Sequence, residues 1–230
     1  MLEILYRDDY LAAVNKPPGL LVHRTGLDAG ETRFAVQLLR DQIGQPVWPV
    51  HRLDKGTSGV LLFALDAVTA SSLGRAFESG EGMHKTYHAI VRGWPPNDGL
   101  IDHPLRRLPD DMRIEREEVQ DAQTRFATRE RYELPIPQGG FPTTRCALVE
   151  LQPLTGRRHQ LRRHMKHIAH PIIGDATHGK GPLNRAVADW LGTQRLWLHA
   201  SRLTMQHPIT GAALDLEARR SPDWDRWPRA

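Results

Sequence analysis

The hydrophobic positions of the chain fall into two kinds of stretch: short apolar or alternating runs, and longer segments with apolar residues three and four apart. Gly59 to Leu65 (GVLLFAL) is apolar almost throughout and predicts a buried strand. A short run to Tyr6, a turn at Arg7-Asp8-Asp9 and a second run from Leu11 to Asn15 predict a hairpin that breaks at Pro17-Pro18-Gly19. Lys85 to Gly93 alternates Thr86, His88 and Ile90 with Tyr87, Ala89 and Val91, a strand with two usable faces. Thr124 to Glu133 and Arg145 to Leu151 read as a strand pair joined across Pro135 to Pro142, and Leu196 to Gln206 as a final strand.

Helical spacing appears in four places. Thr32 to Ile43 carries Ala35, Leu38, Leu39 and Ile43 on one side, with Thr32 as its cap and Gly44 as its stop. Asp66 to Ser79 turns Leu73, Ala76 and Phe77 inward and ends at Gly80-Glu81-Gly82. Arg157 to Ile168 opens after a Thr155-Gly156 break and sets Leu161, Met165 and Ile168 on a buried stripe, with Arg158, Arg162 and Lys166 on a second stripe beside it. Asn184 to Leu191 is the fourth helix. Helices and strands are interleaved, so they share a core: the expected class is α+β, one domain spanning residues 1–230. Arg106 to Gln123 is dense in charge and poor in apolar residues, which predicts a solvated loop.

Composition narrows the setting. Apolar content of 40% and charged content of 25% are those of an ordinary globular protein, and no stretch has the length of a membrane span. The opening MLEILYRDDYLAAV lacks the basic segment and long apolar run of a signal peptide, and the sole cysteine, Cys146, has no internal partner; both point to a reducing cytoplasm. A net charge of +4 is modest, but its distribution is not: residues 155–167 hold Arg157, Arg158, Arg162, Arg163 and Lys166 with no acid among them, a place where a polyanion could lie.

The candidate chemistry centres on His51 to Gly59, HRLDKGTSG. Asp54 falls where an extended run gives way to a Lys55-Gly56-Thr57-Ser58 turn, just before the apolar strand. A strand end opening onto a loop is a common seat for a reactive group, because the sheet holds it rigidly while the loop side admits substrate. Alone, the same aspartate reads first as a turn residue bonding its own backbone. The histidines raise a second possibility, a metal-dependent nucleic-acid hydrolase: His159, His164, His167 and His170 crowd one segment, and His84 and His88 stand four apart. No HExxH is present, however, and the surrounding arginines would repel a dication, so no metal site is expected.

HRLDKGTSGVLLFAL resembles the signature of the RluA-type pseudouridine synthases. VNKPPGLLVH (Val14 to His23), Lys85-Thr86-Tyr87, TGRRHQLRRHM (Thr155 to Met165), HPIIGD (His170 to Asp175) and LWLHASRLTMQHP (Leu196 to Pro208) are similar to further family pieces, in the family's order. The resemblance implies a large, mixed, mainly antiparallel sheet with helices on its faces and a central cleft. It also implies an enzyme that converts uridine in RNA to its C-glycoside isomer: the N-glycosidic bond breaks, the uracil turns and rejoins through carbon, with no redox step and no cofactor.

By the same resemblance Asp54 is the reactive carboxylate, Tyr87 packs against the target uracil and is a candidate proton acceptor, and Arg162 is the partner that keeps Asp54 ionised. Arg52 would fill the space left by the extruded base, while Lys85, Arg157, Arg158, Arg163 and Lys166 remain for phosphates. With no separate N-terminal RNA-binding domain in evidence, and with FPTTRCALVELQPLTGRRHQLRRH (Phe141 to His164), the chain is most similar to the tRNA-modifying branch. That implies a T-stem target at position sixty-five; separately, a monomer without a membrane partner is expected. A large-subunit ribosomal RNA target, and an RNA-binding module without chemistry, are the alternatives.

Overall fold

The computed structural model describes residues 1–23, 30–80, 82–107 and 118–228. It is an α+β fold whose strands make up a ten-stranded, mainly antiparallel sheet, accompanied among the described residues by four helices and a small two-stranded sheet. Two compact units can be distinguished, Met1–Lys85 with Arg107–Glu118 and Ala200–Arg219, and Thr86–Arg106 with Val119–His199 and Arg220–Ala230.

The first unit is built on β1 (Glu3–Arg7), β2 (Leu11–Lys16), β4 (Ser58–Ala64) and β11 (Leu198–Gln206), hydrogen-bonded in that order, with β3 (Trp48–Pro49) added to β4 and β12 (Ala213–Glu217) to β11. Every residue of β4 is buried, as its apolar run requires. Leu11, Ala13, Val60, Leu62, Leu203, Met205 and Leu216 pack with Leu73 of α2 (Ala67–Ser79). Burying each large side chain of this kind contributes about 1.5–3 kcal/mol. Both glycine stops hold: Gly44 and Gly80 close α1 (Ala35–Ile43) and α2 in the left-handed region. Asp66 caps α2 by accepting from the Thr69 N–H. Thr32, in contrast, does not cap α1. That helix begins at Ala35, because the carbonyls of Leu21 and Val22 already accept its first N–H groups, from Ala35 and Val36.

The second unit orders β5 (His84–Arg92), β10 (Thr144–Pro153), β9 (Gln123–Leu134) and β6 (Asp98–Asp102), all antiparallel to their neighbours. Alternation sends Ile90, Cys146 and Leu148 to one face, against Leu183, Val187 and Leu191 of α4 (Gly181–Leu191), and Ala89, Val91, Ala147 and Val149 to the other, against Leu161 and Met165 of α3 (Gln160–His167). Strands covered on both faces lose the polar half of their alternation, which is why CALVEL reads as almost continuously apolar. Burial pushes the Cys146 thiol up to about 12, so it behaves as a small hydrophobe. The expected solvated loop falls partly outside the described residues, at 108–117; its flanks pair as β7 (Leu105–Arg106) and β8 (Val119–Gln120).

Candidate active site

Asp54 stands at the tip of the segment that links β3 to β4, and both ends of that segment are secured. The extended run stops pairing early. Beyond Pro49 the ladder closes with the Val50 N–H donating to Leu62, and the His51 ring then accepts the Leu62 N–H at 3.0 Å, so the chain leaves the sheet without stranding that donor. His51 is held neutral, as an acceptor ring must be. Burial, and secondarily the Lys85 charge, push it down to about 3, and the ring stacks on Phe77. At the far end the Thr57 N–H donates to the Asp54 carbonyl to form the turn. Gly59 then enters β4 at φ 113, where a Cβ would lie 2.1 Å from the Ala200 carbonyl oxygen, so only glycine fits.

The main anchor lies inside the VNKPPGLLVH piece, where neither the resemblance nor the spacing gave it a role. Lys16, at the end of β2, is fully buried, and its Nζ donates to the carbonyls of Pro17, Leu20 and Lys55 at 3.0, 2.7 and 3.2 Å. The Gly19 N–H donates to the same Lys55 carbonyl. A single ammonium therefore ties the Pro-Pro-Gly break to the residue after Asp54. The available signal was a lysine in phase with an apolar strand and followed by two prolines. Lys16→Met, close in volume but without donors, is expected to cost about 2–4 kcal/mol, since carbonyls lose charge-assisted bonds they cannot replace. Hydrogen exchange should locate that loss, with the Gly19 and Thr57 amides exchanging faster while β4 amides keep their protection.

Tyr87 is half-buried in the second unit, packed on the same apolar cluster as Leu161 and Met165 of α3. Arg162 lies on that helix and is 8% exposed. Its guanidinium grips Asp175 with two parallel bonds, Nε to Oδ2 at 2.7 Å and Nη2 to Oδ1 at 2.8 Å. Burial pushes the Asp175 carboxyl up, but Arg162 and the N–H groups of His178 and Thr177 outweigh it and hold the acid below the usual carboxylate range. Asp175 closes the HPIIGD run, yet nothing in that run marks it as the arginine's partner. The two are thirteen positions apart in the chain, across a loop.

The expected basic stripe does not form. α3 begins at Gln160 rather than Arg157, because the Gln160 side chain gathers the preceding turn: it accepts from the Arg157 N–H and the Thr155 hydroxyl, and donates to the Gln123 carbonyl and Thr124 Oγ1. Arg158 thus precedes the helix, Arg162 is buried and Lys166 is exposed, so they do not share a surface. Arg157 donates to the Asp121 carbonyl and Arg163 to that of Arg106. Arg52 is exposed, whereas Lys85 is half-buried with its Nζ 4.8 Å from the centre of the Phe77 ring.

The histidines have other duties. His164, fully buried, donates through Nε2 to the His103 carbonyl, which leaves Nδ1 to accept from the Thr124 hydroxyl. His103 and His167 stack at 3.6 Å, His170 donates to the Arg92 carbonyl, and His159 bonds to His178.

The family model described as RNA pseudouridylate synthase matches residues 10–167. The tRNA pseudouridine synthase C of Vibrio cholerae is 51% identical over 228 residues, 97% of this chain and 93% of that protein. The chain belongs to the RNA pseudouridylate synthase family. Another similar synthase is the tRNA pseudouridine synthase C of Yersinia pestis, 49% identical over 97% of this chain and 88% of its own length. Among solved structures, Human RNA Pseudouridylate Synthase Domain Containing 1 superposes with a TM-score of 0.77 at 27% identity, covering 100% of this chain and 89% of that one. Human RNA Pseudouridylate Synthase Domain Containing 4 gives 0.69 at 27% identity, covering 97% and 90%. The resemblance carried by the sequence motifs is thus borne out, and the chain is an RNA pseudouridine synthase, an isomerase, as expected. Among the described residues no helix is long and apolar enough to cross a membrane.

Proposed function

We propose that this synthase isomerises uridine to pseudouridine in tRNA, in the T-stem at position sixty-five, using Asp54 and no cofactor. The observation that carries the choice of tRNA is identity near one half, along nearly the whole chain, with synthases named for tRNA. In this reading Asp54 supplies the carboxylate that reacts at the base or the sugar, Arg162 is its cationic partner, and Tyr87 stacks on the uracil while the glycosidic bond is open. Two features favour these roles. The Asp54 turn is fixed by Lys16 and by the His51 ring, and Asp175, by taking Nε and Nη2 of Arg162, also sets the direction of Nη1. Preorganised groups of this kind need no reorganisation at the moment of reaction.

A stem uridine is stacked and paired, so the nucleotide must leave the helix to react; Arg52 fills the gap, and Lys85, Arg157, Arg158, Arg163 and Lys166 contact phosphates. The protein acts as a single-domain monomer. The test is to incubate the purified protein with an unmodified tRNA transcript and with large-subunit ribosomal RNA, then map pseudouridine by base-specific adducts. A T-stem product that persists in strong chelator is expected. Product only in ribosomal RNA overturns the target, and activity lost to chelator and restored by zinc overturns the cofactor-free chemistry.

A further inference from the structure

His159 and His178 lie outside the roles assigned so far, and their geometry is unusual. The His159 Nδ1 and His178 Nε2 are 3.0 Å apart, hydrogen-bond distance between two imidazoles. His159 is the residue before α3 and sits in the left-handed region, φ 54 and ψ 24. That conformation costs a residue with a Cβ about 1–2 kcal/mol, so local bonds must hold it. His178 follows Asp175 by three residues and donates its own N–H to Asp175 Oδ1, the oxygen that accepts from Arg162 Nη2. The loop from Asp175 to His178 is therefore attached to α3 twice, at Arg162 and, one turn earlier, at His159.

We propose that the His159–His178 hydrogen bond is a positioning element that holds the Asp175 loop, and through it the guanidinium of Arg162, and that protonation of the pair releases this hold in acid. The inference rests on Arg162 serving Asp54 as described above. Two imidazoles share a hydrogen bond only when one ring supplies a lone pair. If both are protonated, two N–H groups face each other and repel. The charges that act on His178 are Asp175 on its own loop and Arg162, Arg163 and Lys166 of α3; its ring meets His159, which Arg157 and Arg158 precede in the turn. Burial first, then the α3 cations against the opposing Asp175 charge, favour the neutral form of His178. A histidine held neutral by folding contributes stability that is complete above its ordinary value and is lost as the pH falls below it. The hold is thus intact at neutral pH and opens on acidification.

The test compares kcat and KM of the wild-type protein, His178→Leu and His178→Gln on the tRNA transcript as a function of pH. Glutamine offers an amide that can donate or accept near the same point and does not titrate. His178→Leu is expected to lose about ten-fold in kcat at neutral pH with KM within about two-fold of wild type. His178→Gln should recover most of that kcat and move the acid limb of the profile down by about one pH unit. If His178→Leu does not fold, the profile of His178→Gln decides alone. An acid limb unmoved in His178→Gln, or a kcat unchanged in His178→Leu, overturns the proposal. Arg162→Met assayed in parallel separates the two readings: if it keeps wild-type turnover, the assignment of Arg162 itself fails, whereas an inactive Arg162→Met beside indifferent His178 variants removes only the positioning role.

Discussion

Asp54→Asn is expected to lower turnover by at least about 10³-fold, on the order of 4 kcal/mol of transition-state stabilisation, with the protein folded and RNA still bound. Asparagine keeps the shape and the acceptor oxygen, so the turn closed by the Thr57 N–H on the Asp54 carbonyl survives. What disappears is the charge and most of the nucleophilicity. Affinity for RNA should hold or rise slightly, because a negative charge has left a surface that must accept a polyanion. Asp66→Asn serves as the control: Asp66 caps α2 through its side-chain oxygen, and asparagine caps almost as well, so turnover should stay near wild type. Single-turnover rates and filter-binding affinities measure the two effects separately. Retention of more than about a tenth of the activity by folded Asp54→Asn, a loss under about 1.4 kcal/mol, would reduce the carboxylate to a turn residue.

The second large effect concerns stability. Asp175→Ala should destabilise the protein by about 3–5 kcal/mol, because it leaves the Arg162 guanidinium buried without this counter-ion and removes the acceptor of the Thr177 and His178 N–H groups. For a chain of this size that corresponds to a melting temperature lower by roughly 10 °C or more. The sign with pH follows from the lowered Asp175 carboxyl. Its contribution is complete above the unfolded carboxylate value, about 3.9, and is lost as the pH falls through the lower folded value. Urea melts should therefore show the gap between wild type and Asp175→Ala narrowing below about pH 4. A gap independent of pH would mean that the variant's defect is lost packing and not a lost charge pair.

Much of the scaffold could be read from residue spacing because it is set by local rules. The GVLLFAL strand, the glycine stops of α1 and α2, and the capping Asp66 depend on neighbours within a few positions. β6 and β12 have no such signal: each is five residues long, and only one residue of each is buried, so neither has a hydrophobic rhythm to detect. The late start of α3 was hidden for a different reason. Arg157 to Ile168 has a helical pattern throughout, and it is the tertiary reach of the Gln160 side chain to Gln123 and Thr124 that holds its first turn open.

The site divides in the same way. Asp54, Tyr87 and Arg162 were singled out as candidates because the resemblance gives those motif positions a role. Lys16 and Asp175 also lie in quoted pieces, but what they do there, securing the backbone and the guanidinium, was not legible, because a buried lysine is satisfied only by carbonyls brought together by folding, and an arginine's partner across a loop leaves no periodic trace.

The His51 ring has a consequence for how the Asp54 segment can change over time. By accepting the Leu62 N–H, it satisfies that β4 donor before the chain reaches Arg52. Because that donor is met by a single ring nitrogen, drift at His51 is confined to residues that can accept there, or the buried strand loses a bond. Replacement of His51 by leucine should therefore lower the melting temperature.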